Sequence, residues 1–249
     1  MLSKSQLKLI RSLKVKKYRY KERMFLVESP KLVNELLKTN HPIQQIFALS
    51  SWIHDQQAQL DKHAHSVQEI SAKELAQISN LKTPNQVVAM VPIVVPSIEP
   101  SILTSNVNLV LADIRDPGNL GTIIRIADWF NIPYIFCSLN SVDMYNPKVV
   151  QSTMGAIFHT KVFYTDLMEL FHQYPNLPVY GTSMVGQSIF ETHIPAGSFV
   201  IIGNEAQGIG SEILAHCHHM VSIPKYGKAE SLNASVAAGI ICAIIKHKA

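Results

Sequence analysis

From residue 107 to 249 the sequence predicts an α/β domain built on a parallel sheet covered on both faces. Residues 1–95 predict a smaller α/β unit, and residues 96–106 a linker between the two. Three observations carry this reading. Short apolar runs recur at regular distance in the larger part: "LVLAD", "YIFC", "KVFY", "PVYGT", "FVIIG" and "HMVSIP". Helical periodicity lies between several of them, and such alternation implies strands buried on both faces and joined by crossovers. Polar residues and glycines collect where the runs end, in "DIRDPGN", "GTS", "GNEAQGIG" and "IPKYGKAESLN". In sheets of this kind ligands bind at those strand ends.

The chain opens on a basic segment. Ten Lys/Arg within residues 1–31 face only Glu22 and Glu28, a net +8, so the other 218 residues sum to −4 of the overall +4. In "RSLKVKKYRYKERMF" the cations interleave with Tyr18, Tyr20 and Phe25. Cations track phosphates and aromatic faces stack on unpaired bases, so the mixture suits RNA, with Lys16, Lys17 and Arg19 as candidate contacts. A solvated basic helix accounts for the same composition. An organelle transit peptide does too, because no acid precedes Glu22. "FLVESPKLVNELLK" runs on directly as strand and helix, which keeps the segment in the mature fold.

Leu32, Val33, Leu36 and Leu37 sit at helical spacing, and "QQIFAL" (44–49) reads as a strand. "SAKELAQIS" (71–79) is a short helix opening on Ser71, and "QVVAMVPIVV" (86–95) another strand. "PSIEPSILTSN" (96–106), with two prolines and four Ser/Thr, is the predicted linker. Helical patterns follow at 120–130, 147–158 and 165–174, and a longer one at 231–246. The longest apolar run, "ASVAAGIICAII", falls short of the roughly 20 residues a bilayer span needs, so it reads as a buried helix and no membrane segment is expected. With 47% hydrophobic and 16% charged residues, material for a core is ample. Cys137, Cys217 and Cys242 form no CxxC pair and no disulfide framework, which suits a reducing compartment such as the cytoplasm. Neighbouring side chains of "HCHH" (216–219) diverge and no second cluster has matching spacing, so no metal site is expected.

In the helix after "LVLAD", Leu120, Ile123, Ile124, Ala127 and Phe130 make the apolar stripe. Thr122, Arg125 and Asp128 fall opposite. Taken alone, Arg125 reads as a surface ion pair with Asp128, and Asn119 as an N-cap. "FVIIGNEAQGIG" (199–210) ends an apolar strand on Gly203 and places Glu205 two residues later, with Gly208 and Gly210 behind it. Glycine lets a backbone approach a ligand closely, whereas Glu205 could instead serve a helix N-terminus. GxGxxG and GxxxxGK[ST] are both missing, which argues against a dinucleotide fingerprint and a P-loop. "GTSMVG" (181–186) fits no nucleophile elbow. In "IPKYGKAESLNASVAAGIICAII" (223–245), Ser231 reads as the helix N-cap and Asn233 as a first-turn polar group. Ala234, Ala237, Ala238 and Gly239 permit close packing.

Together and in this order, "DPGNLGTIIR", "IIGNEAQGIG" and "IPKYGKAESLNASVA" resemble the three motifs of the SpoU/TrmH family of RNA ribose 2′-O-methyltransferases, within the SPOUT superfamily. The resemblance spans about residues 106–249. The first 95 residues resemble the family's ribosomal-protein-L30e-like substrate-binding domain. Ser29 stands where Gly is usual there, Ala206 where Gly is common, and Lys225 where Met is frequent. The resemblance implies a C-terminal domain closed by a deep trefoil knot, which physical rules against threading would not propose. It implies a homodimer with the active site at the subunit interface, and S-adenosylmethionine as methyl donor with no metal. Gly203, Ile223, Leu232 and Thr182 are the implied cofactor contacts. Arg125 matches the catalytic arginine; its high pKa suits clamping a phosphate and polarising a hydroxyl rather than acting as a free base. Asn119, Glu205, Ser231 and Asn233 match the polar shell. Asn119 and Asn233 are expected to hold the hydroxyl, and Glu205 to orient Arg125 or its loop. The substrate is RNA, ribosomal ahead of transfer. A non-catalytic RNA-binding protein of this fold is the alternative, with a nucleotide-dependent oxidoreductase behind it.

Overall fold

The computed structural model describes residues 1–60 and 66–248. It divides into two compact units, Met1–Val95 with Tyr145–Phe158, and Pro96–Met144 with the residues from His159 on.

The first unit runs α1 (Lys4–Ser12), α2 (Lys16–Glu22), β1 (Met24–Glu28), α3 (Pro30–Leu37), β2 (Gln45–Ala48), α4 (Ser50–Asp55), α5 (Gln57–Leu60), β3 (Val67–Glu69), α6 (Ala72–Ile78) and β4 (Val87–Pro92). Among the described residues its sheet has the order β1-β4-β2-β3. Strand β4 lies antiparallel to both neighbours, and β2 parallel to β3. Helix α6 opens on Ser71 as the sequence predicts, through a capping box with Glu74, and α1 opens likewise on Ser3 and Gln6. Ile10, Leu13, Leu26, Phe47, Leu75, Ile78 and Val88 gather into one apolar cluster, which seats the basic N-terminal segment on the sheet.

That seating corrects one candidate RNA contact. Arg19 is only 2% exposed, and its Nη1 donates to the carbonyls of Leu13 and Lys14, each at 2.9 Å. It closes the turn between α1 and α2 and presents no surface charge. Arg11 and Lys14 donate to Gln77 O and Ser79 O at the end of α6, where unpaired carbonyls favour cations. Lys16, Lys17 and Lys21 stay exposed beside Tyr18 and Tyr20, with the Lys16 ammonium 5.9 Å from the Tyr20 ring centre.

The predicted linker holds a helix, α7 (Pro100–Ser105), that buries Leu103. Pro100 sits in its first turn, where a missing amide costs nothing, so this proline starts a helix instead of interrupting one. After it come β5 (Asn108–Leu111), α8 (Pro117–Trp129), β6 (Tyr134–Ser138), α9 (Pro147–Thr153), β7 (Lys161–Thr165), α10 (Leu167–Gln173), β8 (Val179–Ser188), β9 (Phe199–Ile202), α11 (Ser211–Leu214), β10 (His219–Ser222) and α12 (Ala234–Lys248). All six predicted apolar runs are strands, and among the described residues they form one sheet of order β10-β8-β9-β5-β6-β7 with every pair parallel. One face is covered by Leu103, Leu167, Leu170, Phe171 and Ile209. The other carries α8 packed on α12, where Ile126 Cδ1 would lie 3.5 Å from a Cβ at Gly239.

The crossover predicted at 147–158 belongs to the first unit. Gln151 on α9 donates to Glu28 O at 2.9 Å, and the Tyr145 ring centre is 4.6 Å from that of Phe25.

In the second unit the chain proceeds from β5 outward to β6 and β7, then returns to the other side of β5 to lay down β8 and β9. The order therefore reverses between β5 and β9, and the loops leaving those two strands lie side by side, Asn204 Nδ2 donating to Asp113 O at 2.8 Å. Asn119 follows β5 and Glu205 follows β9.

Candidate active site

Helix α8 begins three residues earlier than its apolar periodicity suggests. Asp116 is the N-cap, its carboxylate accepting from Asn119 N at 2.9 Å, and Pro117 takes the first helical position. Asn119 is therefore not a cap but a third-position residue whose amide is free to reach outward. Its Nδ2 donates to the Glu205 carboxylate, and its Oδ1 accepts from Asn233 Nδ2 at 2.9 Å. Three side chains, 86 and 114 residues apart in sequence, thus form one hydrogen-bonded chain.

Asn233 also replaces Ser231 as the cap of α12. The helix starts at Ala234, and Asn233 Oδ1 accepts from Ser235 N at 2.9 Å and Val236 N at 3.3 Å. Capping fixes the amide so that Nδ2 points at Asn119. Ser231 is exposed and lines a cavity beside this chain.

That cavity, of about 550 Å³, lies where β9 and β10 end, beside the middle of β8. Ile202, Val221, Ile223, Leu232, Ala237 and Ile241 form apolar wall, and Thr182, Gly203, Glu205 and Ser231 also face it. Its size falls within the range of small-molecule sites. A Cβ at Gly203 would lie 2.5 Å from the Gly208 carbonyl carbon, so the two backbones touch and only glycine fits. Gly208 takes φ +67°, which bends residues 204–208 back on themselves, and Asn204 and Gly208 bond each other's backbones. The Thr182 hydroxyl donates to Ile201 O at 2.7 Å.

Asn204 was not singled out by sequence. Its Oδ1 accepts from Ala206 N at 2.9 Å and Gln207 N at 3.2 Å, and its Nδ2 donates to Asp113 O at 2.8 Å. It thereby ties the loop of Glu205 to the loop leading to Asn119. Asp113 itself sits at φ +57°, its carboxylate accepting from Ser138 Oγ at 2.9 Å and pairing with Arg115 at 3.3 Å. The only signal in the sequence was an Asn and an Asp at strand ends, which are common in turns.

Arg125 is not part of this chain. It lies six residues along α8 from Asn119, about 9 Å further along the axis and about 120° around it. Its side chain is exposed, and among the described residues it has no hydrogen-bond or ion-pair partner, so the pair with Asp128 is not formed. The hydrogen-bond partner of Glu205 is Asn119. Arg125 shares its side of the helix with Trp129, four residues on and 82% exposed.

Other chemistry is poorly served. Burial pushes the Cys242 thiol up to about 12 and that of Cys137 higher still, so neither supplies a thiolate near neutral pH. In "HCHH" the side chains diverge: Cys217 Sγ meets Ile213 O, His218 Nδ1 accepts from Val179 N, and His219 stacks on Tyr180. Among the described residues no group of three His, Cys, Asp or Glu is placed to hold a metal, and no helix is long and apolar enough to cross a membrane.

Comparison with known proteins agrees with the geometry. Residues 106–243 match the SpoU rRNA Methylase family, and residues 4–89 match the MRM3-like substrate binding domain. The chain is 28% identical to the 23S rRNA (guanosine(2553)-2′-O)-methyltransferase RlmP of Bacillus subtilis over 234 residues, 93% of this chain and 92% of the relative. Several other curated relatives match over about half their length; RlmB of Neisseria meningitidis, a 23S rRNA (guanosine-2′-O-)-methyltransferase, is 32% identical over 139 residues, 53% of this chain and 55% of its own. Among solved structures, a TrmH-family protein of Porphyromonas gingivalis superposes with TM-score 0.87 at 31% identity, covering 100% of both chains. The AdoMet-bound rRNA methyltransferase of Sinorhizobium meliloti has TM-score 0.87 at 25% identity, covering 99% of this chain and 97% of its own. With more than half its length matched by the family, and with Asn119, Glu205 and Asn233 brought together from all three sequence motifs, the chain belongs to the SpoU rRNA Methylase family.

Proposed function

We propose that this chain transfers the methyl group of S-adenosylmethionine to a ribose 2′-hydroxyl of ribosomal RNA. The observation that carries the reading is the Asn119–Glu205–Asn233 chain standing beside a cavity of about 550 Å³ with an apolar wall and a glycine-tight floor. Such a cavity fits a nucleoside-bearing cofactor, with Ile223 and Leu232 against its apolar parts and the Gly203 backbone close beside it. S-adenosylmethionine supplies, when bound, an electrophilic methyl on a sulfonium that leaves as a neutral thioether. Ribosomal RNA is favoured because the relatives RlmP and RlmB are named for it.

The protein's own task is to bring a weakly acidic hydroxyl into line and take charge of its proton. Asn119 and Asn233 are held rigidly by one another and by the α12 cap, so their remaining donor and acceptor positions are fixed before substrate arrives. Preorganised groups of this kind lower the barrier without reorganising during reaction. Glu205 holds Asn119 and keeps one carboxylate edge open as a proton acceptor. Arg125 clamps the phosphate next to the target ribose, where a planar fork binds an oxyanion in two places.

Arg125 does this across a subunit boundary. Trp129 on α8 (82%), Val236 on α12 (50%) and Leu232 just before α12 (46%) are exposed apolar side chains on two helices that pack together, a surface suited to a second copy of this chain. The protein is a homodimer whose sites each take Asn119, Glu205, Ser231 and Asn233 from one subunit and Arg125 from the other. The chain leaves β10 at the sheet edge and returns to set α12 against α8, which supports the trefoil knot. The first unit is the L30e-like substrate-binding domain, holding RNA on Lys16, Lys17 and Lys21. A cytoplasmic enzyme is the reading that its free cysteines and a ribosomal RNA substrate support.

The test is transfer of labelled methyl to 23S ribosomal RNA from a strain lacking this protein. Arg125→Ala and Glu205→Gln should each be inactive with cofactor affinity retained. Mixing the two inactive proteins should restore activity, because a mixed dimer holds one intact site. Failure of the mixture to regain activity, with mixed dimers present, would refute the shared site. An Arg125→Ala protein that keeps most of its turnover would refute the role of Arg125 itself.

A further inference from the structure

The loop between β10 and α12, residues 223–233, has a property that the cofactor cavity does not require. Lys225, Tyr226, Ser231 and Leu232 lend atoms to the cavity wall, yet Tyr226 is 95% exposed, the most exposed aromatic side chain among the described residues. Lys225 precedes it, Lys228 stands two residues after it, and both are exposed. Among the described residues none of the three has a hydrogen bond, ion pair or ring contact. Glu230 is the one acid in the loop, so the stretch carries a net positive charge. An aromatic ring kept in water between two free cations gains nothing from the fold, and its chemistry matches a single-stranded nucleic acid: a π-face for a base and ammonium groups for the phosphates on either side.

Position adds to this. Tyr226 is seven residues before Asn233, so it lies within at most about 25 Å of the Asn119–Glu205–Asn233 chain. A strand that delivers its ribose there passes the loop within a few nucleotides.

We propose that Tyr226, with Lys225 and Lys228, is a stacking platform for an unpaired base near the target nucleotide. This rests on the reading of the site as an RNA methyltransferase. Target RNA then has to be unstacked beside the methylated ribose, and the platform selects for that condition without reading base identity.

The experiment uses the full chain and the same 23S ribosomal RNA. Tyr226→Ala should raise KM for RNA about tenfold, with turnover at saturating RNA and calorimetric affinity for S-adenosylmethionine little changed. Tyr226→Trp should restore KM, whereas Tyr226→Leu, apolar but not aromatic, should not. Lys225→Glu with Lys228→Glu should weaken RNA binding and lower the log–log salt slope by about 0.7 for each phosphate no longer neutralised. An unchanged KM in Tyr226→Ala, or rescue by leucine, overturns the platform. Loss of cofactor affinity instead of RNA affinity also overturns it, by making Tyr226 part of the cofactor site. If the unmodified protein binds S-adenosylmethionine but methylates no ribosomal RNA, the functional reading itself fails and the platform with it.

Discussion

Glu28 and Glu205 are two carboxylates in two units, both placed just where a strand ends, and they are treated differently. Glu28 is 3% exposed and saturated: Ser79 Oγ donates at 2.6 Å, Asn80 N at 3.0 Å and Asn80 Nδ2 at 2.5 Å. All its donors come from one turn, so the charge ties that turn to β1 and has nothing left to offer. Glu205 is half-buried beside a cavity and receives one donor, Asn119, itself held by Asn233. A buried charge must be fully hydrogen-bonded to be tolerated, which makes Glu28 architecture. A charge partly open to a cavity keeps acceptor capacity, which is why we propose that Glu205 serves the reaction. Burial by itself does not separate the two; the count of satisfied positions does.

The comparison breaks most sharply under the same change at both positions. Glu205→Gln should lower the rate of methyl transfer about a hundredfold or more, while the urea unfolding midpoint stays close to that of the unmodified protein. Equal loss of stability would make Glu205 a second Glu28. Glu28→Gln should do the reverse, costing about 1–2 kcal/mol of stability from weakened charge-assisted bonds. Its turnover per folded molecule should be unchanged; a large fall in turnover would place Glu28 among the groups that serve the reaction.

A third carboxylate sharpens the scale at its small end. Glu74 is held at about 2, against an ordinary 4.5, first by the backbone amide of Ser71, then by that of Leu2, then by the Ser71 hydroxyl. Its folded pKa lies below its unfolded one, so its contribution is complete above about 4.5 and is lost as pH falls through about 2. Glu74→Gln should flatten the acid side of the stability curve in that window, measured by urea unfolding at several pH values, and leave neutral-pH activity alone. Because the side chain is open to water, the effect should be the smallest of the three. A variant whose acid slope matched the unmodified protein would show that the cap carries no net charge effect.

Local patterns were legible wherever a residue's role depends on its own neighbours. The six apolar runs became six parallel strands, the stripe of Leu120, Ile123, Ile124 and Ala127 is buried, and Ser71 opens its helix. The motifs carried the family, and with it Asn119, Glu205 and Asn233, long before any contact between them could be derived. Helix starts were less legible. Asp116 and Asn233 displaced Asn119 and Ser231 as caps, because several polar residues precede each helix and only the backbone path decides which one turns inward.

What the sequence determined by itself, then, was periodicity, composition and the residue types at the strand ends, since these follow from local sterics and from apolar surface leaving water. Tertiary structure decided which distant groups meet. The reversal of strand order between β5 and β9 put Asn119 beside Glu205, although 86 residues separate them. Packing of α1 and α2 on the first sheet turned Arg19 from an RNA contact into a buried clamp on two carbonyls, while its neighbours Lys16 and Lys17 stayed in water. The same fold left Arg125 without a hydrogen-bond or ion-pair partner among the described residues. A side chain's partners depend on where the rest of the chain passes, and periodicity along one segment holds no information about that.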